Sequence, residues 1–336
     1  MSDAPAPSAN PSPNPSSNPS ANPSTNPSAD PTPGAAAAPI IAGNDTRLAL
    51  DDLVDLLRLE PLEHNLFRGR SRDHGGQAVF GGQVLGQALM AAGRTVADGQ
   101  QVHSLHGYFL RAGDKSMPIV YDVDRIRDGA SFTTRRVVAI QHGQAIFHMS
   151  ASFQKREGGP THQDAMPAAP PPEGLEDDHQ RERRMADRMP AWRQHYLQQA
   201  QPMQSRAVNP IDPFAPVPLP AEALHWMRAP HPLPDDPLLH QALLAYASDW
   251  SLMSVAMRPH ALSWQQGNVQ GVSLDHAMWF HRDFRFDEWL LYQSDSPSLS
   301  GARGFCRGSL WRRDGTLVAS VAQEGLIRIR RPVPAG

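Results

Sequence analysis

Few side chains in this chain stand where they could do chemistry. Asp249 lies in YASDWSL (246–252), inside a segment whose apolar residues recur at helical spacing. An aspartate placed there serves either as a partner in a buried hydrogen-bond network, the commoner role, or as a general base when a transferable proton lies within reach. In SLDHAMWFHR (273–282), Ser273, Asp275 and His276 are the residue types of a Ser/His/Asp hydrolase. The Gly-x-Ser-x-Gly elbow of such enzymes is missing, and adjacent strand residues point to opposite faces, so no triad is expected. His103, His106, His276 and His281 sit in strand-like runs beside aromatic residues and read as packing or hydrogen-bonding histidines. No His-Glu-x-x-His spacing occurs, so no metal site is expected. The single cysteine, Cys306, excludes an intrachain disulfide and a Cys-rich metal site. Within GFCRGSLW (304–311) it reads as a small buried core residue, not a nucleophile.

The elements that must position these residues follow from periodicity. LALDDLVDLLRLEPLEHNLFRG spaces Leu50, Leu53, Leu56 and Leu57 as one helical face, with Asp51 and Asp52 expected in the first turn and Pro61 expected to end it. VFGGQVLGQALMAAGRTV (79–96) is a Gly-rich entry into a second helix with Val84, Leu85, Ala88, Leu89 and Ala92 on its apolar face. Strand-like runs follow at 103–113, 118–129, 131–143 and 144–154, joined by turns at Arg127-Asp128-Gly129 and Gln141-His142-Gly143. The second half repeats this plan, with a helix over 235–257 and then strands at 268–282, 288–298, 302–315 and 316–330. Tyr108-Phe109 precedes Arg111 as Trp279-Phe280 precedes Arg282, and the turn at Gly315 corresponds to that at Gly143. Helix followed by strands implies α+β with antiparallel sheets. One helix wrapped by a curved antiparallel sheet is a hotdog; two copies make a double hotdog. The expected division is a tail at 1–44, a first hotdog at 45–156, a linker at 157–200 and a second hotdog at 201–331.

The composition narrows the function. The tail repeats Asn-Pro-Ser-x from Asn10 to Asn26, offers almost nothing apolar to bury, and is expected to be disordered and extended. The net charge is −3, and the cluster Arg181, Arg183, Arg184 is diluted by Asp177, Asp178 and Glu182, which argues against nucleic-acid binding. No stretch approaches the ~18 apolar residues of a membrane span. With no secretory signal and no peroxisomal C-terminal address, a soluble cytoplasmic protein is the expectation.

The strings LFRGRS (66–71), VFGGQVLGQAL (79–89), YFLRAGD (108–114), RDGASFTTRRV (127–137), YASDWSL (246–252), LDHAMWFHR (274–282), EWLLY (288–292), ARGFCRG (302–308) and VASVAQEGLIR (318–328) together resemble the acyl-CoA thioesterase II family. The likeness runs in order over roughly residues 50–330. It implies hydrolysis of an acyl-CoA thioester by an activated water, without a covalent acyl-enzyme and without a cofactor. The family's activating residues are a helix Asp, a hydroxyl residue on the next strand and a Gln near the end of the last strands. They fall on Asp249, Ser273 and Gln323. The usual bacterial residue at the hydroxyl position is Thr; Ser supplies the same donor and lone pairs and leaves the role intact.

The first half lacks this set. Gly81-Gly82 stand where the second half has Ser248-Asp249, and Ala151 falls opposite Gln323 by the turn alignment. The first hotdog is therefore expected to contribute packing and substrate contacts, with the Gly81-Gly82 amides as candidate oxyanion donors. The expected partner is acyl-CoA, and a homo-oligomer, dimer or tetramer, is expected. Arg111, Arg135, Arg136, Arg303 and Arg307 are basic groups that could meet CoA phosphates, but read first as salt-bridge partners. Two other readings are a non-catalytic acyl-CoA-binding protein and a hotdog dehydratase or hydratase. The second needs a His paired with the Asp, and the nearest in the same helix, His240, is several turns from Asp249.

Overall fold

The computed structural model describes residues 45–330. The expected tail, residues 1–44, lies outside them. Helix α1 (Thr46–Leu57) is capped by Asp45, whose carboxylate accepts from the N–H groups of Arg47 and Leu48. Its apolar face of Leu50, Leu53, Leu56 and Leu57 is buried as the spacing predicts. Because the cap lies upstream of the leucine pattern, Asp51 and Asp52 fall in the second turn, and Asp45 serves the positive helix end. Pro61 does not end the helix: α1 stops at Leu57, and Pro61 lies in strand β1 (Glu60–Glu63), paired with β2 (Leu66–Gly69).

Helix α2 (Gly81–Gly93) and strands β3 (Gln100–Phe109), β4 (Ile119–Asp128), β5 (Phe132–Gln141) and β6 (Gln144–Lys155) complete the first half. His142 and Gly143, both at positive φ (49° and 70°), form the tight β5–β6 hairpin. The connecting segment is not bare chain. Met166, Ala169 and Leu175 pack against Trp226, Trp289, Leu291 and Trp311, and short helices α3 (Asp178–Arg183) and α4 (Ala191–Leu197) follow. The second half comprises β7 (Gln204–Ala207), β8 (Glu222–Arg228), helix α5 (Pro237–Ser248), β9 (Val269–Ser273), β10 (Asp275–Phe280), β11 (Leu290–Ser300), β12 (Arg303–Arg312) and β13 (Leu317–Ile329).

The strands form one antiparallel sheet in the order β1-β2-β4-β5-β6-β3-β10-β13-β12-β11-β8-β7, with β9 also on β13. The two halves join where β3 pairs with β10. Both central helices are buried against the sheet's inner face, α2 through Leu85, Ala88, Leu89 and Ala92 and α5 through Leu239, Leu243 and Tyr246. This is the double hotdog that the helix-then-strands plan predicts.

The helices run antiparallel to each other. Gly82 lies against Tyr246, Gly86 against Ala242 and Gly93 against Leu238. A Cβ on Gly82 would stand 2.3 Å from the Tyr246 carbonyl oxygen, so the close approach at this end of the pair requires glycine. This geometry corrects one expectation: Gly81-Gly82 are the spatial neighbours of Ser248-Asp249, not their counterparts. The counterpart of Asp249, by position just past the central helix, is Arg94.

Candidate active site

The helix expected over 235–257 is shorter. Asp236 caps it, Pro237 occupies its first position, and it ends at Ser248 with Asp249 as the C-terminal cap. The last carbonyls find other partners: Tyr292 Oη donates to Ser248 O at 3.2 Å, and Trp250 N–H bonds back to Ala247 O at 3.1 Å. A 3-10 stretch, Leu252–His260, carries the chain on. Asp249 is thus turned inward at a helix end, its side chain only 4 % exposed.

The single strand expected over 268–282 is broken at Leu274. Ser273 pairs with Gly325, whereas Ala277 pairs with Ala322, so the register against β13 slips by one residue between them. The extra residue is a bulge: Leu274 N–H bonds Glu324 O, and Leu274 O accepts from Phe109 N–H. In an unbroken strand Ser273 and His276 would face opposite sides. The bulge turns Ser273 toward Asp249 while His276, on the buried face, is wholly enclosed. Asp275 instead accepts the Glu324 N–H at 2.6 Å. As expected, Ser273, His276 and Asp275 form no Ser/His/Asp relay.

The structure brings Asp249, Ser273 and Gln323 together. Gln323 Nε2 donates to Asp249 Oδ1 at 2.6 Å and to Ser273 Oγ at 2.9 Å, and Ser273 Oγ donates to Asp249 Oδ1 at 3.3 Å. The Gly82 N–H, from the first half, also bonds the carboxylate. Asp249 Oδ2 faces Gly81, where a Cβ would stand 2.7 Å away and would meet Phe109 as well. The Gly82 amide thus faces the Asp249 carboxylate and opposes the effect of its burial. Both glycines are site residues in a sense the sequence reading missed; their adjacency in a Gly-rich helix entry was the only signal.

Burial raises the Asp249 carboxyl to about 6, against the opposing hydrogen bonds from Gln323, Ser273 and Gly82. His276, completely buried, is pushed down to about 3 and stays neutral. Its Nδ1 lies 3.9 Å from Asp249 Oδ1, a contact between a neutral ring and a carboxylate, not an ion pair. An Asp/His pair thus exists in space where the linear sequence showed none. The ring is wholly enclosed and meets Ser248 Oγ through its other nitrogen.

The remaining candidates behave as structural groups. His103 meets Ser152 Oγ, His281 meets Ser320 Oγ, and His106 packs edge-on against Trp279. Cys306 is buried and its thiol is pushed up to about 11 by burial, so it is no nucleophile. Arg136, Arg303 and Arg307 pair with Asp124, Glu324 and Asp295, and Arg135 is enclosed beside Thr95 and Asp128. A cavity of about 80 Å³ lies beside Tyr196, Met203, Tyr246 and Trp250, but none of Asp249, Ser273 and Gln323 lines it. No helix among the described residues is long and apolar enough to cross a membrane.

Comparison with known proteins decides the family. A family model described as acyl-CoA thioesterase matches residues 197–326, and one described as acyl-CoA thioesterase N-terminal domain matches residues 70–154. Human acyl-coenzyme A thioesterase 8 is 42% identical over 286 residues, covering 83% of this chain and 89% of the human protein. The chain belongs to the acyl-CoA thioesterase II family. Acyl-CoA thioesterase 2 of Haemophilus influenzae is 38% identical over 279 residues, covering 83% of this chain and 98% of that protein. The crystal structure of an acyl-CoA thioesterase II from Mycobacterium marinum superposes with a TM-score of 0.69 at 46% identity, covering 84% of this chain and all of that one. This thioesterase II is accordingly a thioester hydrolase with a double hotdog fold.

Proposed function

We propose that this thioesterase hydrolyses fatty acyl-CoA to free acid and CoA by a water that Asp249, Ser273 and Gln323 hold and activate, with no covalent intermediate. The observation that carries this reading is the convergence of two side chains, Ser273 from β9 and Gln323 from β13, on the buried carboxylate of Asp249 at the end of α5. A thioester carbonyl is already electrophilic, so the missing ingredient is a placed water with a proton acceptor. Asp249, with its carboxyl raised to about 6, is ionised at neutral pH yet basic enough to take that proton. Gln323 and Ser273 occupy Oδ1, and Oδ2 faces Gly81, where only a residue without a side chain fits beside the carboxylate. The first turn of α2, at the positive end of its helix, borders the same carboxylate and favours charge developing there.

The same reading takes residues 45–156 and 201–331 as the two hotdogs joined through 157–200. It includes a cytoplasmic homo-oligomer, dimer or tetramer, whose mass sedimentation would measure. Acyl-chain preference follows from measuring free-thiol release over a series of chain lengths. In that assay Asp249→Asn should lower kcat by about 10²–10⁴, the usual worth of a general base. Full turnover by a folded Asp249→Asn enzyme would remove Asp249 from the mechanism. If the native chain released CoA from none of the esters, the non-catalytic acyl-CoA-binding reading would take over.

A further inference from the structure

His276 has no role in the reaction as proposed, yet it is enclosed at the centre of the site. Its Nε2 lies 2.9 Å from Ser248 Oγ. Its Nδ1 is buried and makes no well-formed hydrogen bond, and neither does Oε1 of Gln323, although the Gln323 side chain lies close enough to oppose the effect of burial on the ring. Continuing the β10–β13 register from Ala277↔Ala322 places His276 directly across from Gln323, both buried. Buried polar atoms in folded proteins find partners, and two orphans on cross-strand neighbours suggest a proton that belongs between them.

A neutral imidazole carries one proton, and its two placements are not equivalent. With the proton on Nε2, the ring donates to Ser248 Oγ and Ser248 donates to Ala245 O at 3.0 Å. The bare Nδ1 then faces Gln323 and Asp249 Oδ1, leaving acceptors together with no hydrogen among them. With the proton on Nδ1, the ring has a hydrogen to offer Gln323 Oε1, and the Ser248 hydroxyl turns from Ala245 O to donate to Nε2. Only the second placement puts a hydrogen between the two orphans.

The geometry points to His276 as a positioning residue: as the Nδ1–H tautomer, selected by Ser248, it holds Gln323 by its amide oxygen and so fixes the amide NH2 on Asp249 and Ser273. An amide turned by half a rotation would present its oxygen to Asp249 Oδ1 and its NH2 to the Nδ1–H, a like-against-like contact at both ends. Ser248 and His276 thus set, through Gln323, the number of donors that the carboxylate receives. The inference rests on Gln323 belonging to the water site.

Nitrogen NMR of the full-length enzyme labelled in its histidine rings tests the tautomer directly, with His276→Asn identifying the resonance. We expect the proton on Nδ1 and a bare Nε2; a proton on Nε2 overturns the inference whatever the kinetics show. The variants then separate positioning from mere packing. His276→Leu should lower kcat by about 10–100-fold with little change in KM, the usual effect of removing a group that orients an active-site residue. His276→Asn, which keeps an NH2 near the Nδ1 position, should recover most of that loss. In a Gln323→Ala background, His276→Leu should cost no further kcat, because the two act as a unit. An additive loss, or full activity in His276→Leu, would assign the ring to packing alone. Wild-type kcat in Gln323→Ala itself would instead defeat the catalytic reading and leave the tautomer result standing.

Discussion

Arg94 and Asp249 hold the same place in the two halves. Each is the first residue past its central helix, with φ/ψ of −69°/−10° and −80°/−11°. The strands repeat as closely. The β3–β6 register slips between Val102 and Ser104, and the corresponding slip in the second half lies between Ser273 and Ala277. Where the second half has Ser273, His276 and Gln323, the first has Val102, Leu105 and Ala151, all buried. Instead of a basic carboxylate, the first helix end carries a closed structural network: Arg135, 1 % exposed, bonds Thr95 Oγ1 at 2.8 Å and Thr95 O at 2.9 Å and reaches Asp128. One scaffold, bulge included, therefore serves twice, and Asp249, Ser273 and Gln323 stand in the second copy where the first has Arg94, Val102 and Ala151. The first copy still enters the site, because antiparallel helix packing delivers Gly81 and Gly82 to Asp249.

Exchanging the counterparts tests this contrast. Gln323→Ala should lower kcat by about 10²-fold, on the scale of a lost catalytic donor. Its mirror change, Ala151→Gln, should leave kcat within about two-fold and cost about 1–3 kcal/mol of stability, because it buries an amide without partners. Chemical denaturation and steady-state CoA release distinguish the two. A kinetic loss in Ala151→Gln as large as in Gln323→Ala, with the fold intact, would show that both halves contribute chemistry.

Ser273→Ala should have a smaller effect, about ten-fold in kcat, since Gln323 still holds Asp249. Ser273→Thr should stay within a few-fold, because the hydroxyl is retained. Loss of all activity in Ser273→Ala would make the serine a participant in bond making.

The remaining effects concern pH. Asp249 is raised from 3.8 to about 6, so its contribution to stability is present below 3.8 and is lost as pH rises through 6. Asp249→Asn should accordingly stabilise the protein above pH 6 by up to about 3 kcal/mol, reduced where the new amide meets the Gly82 N–H. His276 is lowered from 6.5 to about 3, so its contribution is present above 6.5 and is lost as pH falls toward 3. Melting temperature against pH should therefore fall on acidification in the wild type, and more steeply in Asp249→Asn. Activity should decline below about pH 6 as Asp249 takes up its proton. An activity profile flat down to pH 4 would contradict the raised carboxyl.

Much of this was legible in the sequence. Helical and alternating periods located both central helices and most strands, and ordered family strings singled out Asp249, Ser273 and Gln323. What stayed hidden depended on contacts between distant segments. The end of α5 at Ser248 is set by Tyr292 and the 3-10 turn, not by any breaker in the helix. Alternation placed Ser273 and His276 on opposite faces, and only pairing with β13 reveals the bulge at Leu274. Gly81-Gly82 looked like the counterpart of Ser248-Asp249 because order along a chain does not disclose that two helices pack antiparallel.

The most direct measurement is a single turnover of acyl-CoA by excess enzyme in ¹⁸O-labelled water, followed by mass analysis of the fatty acid and of the peptide containing Asp249. Direct attack by the held water predicts one ¹⁸O in the fatty acid and none in Asp249. Label in Asp249, with an unlabelled fatty acid, would show that the carboxylate itself attacks the thioester and would contradict the account.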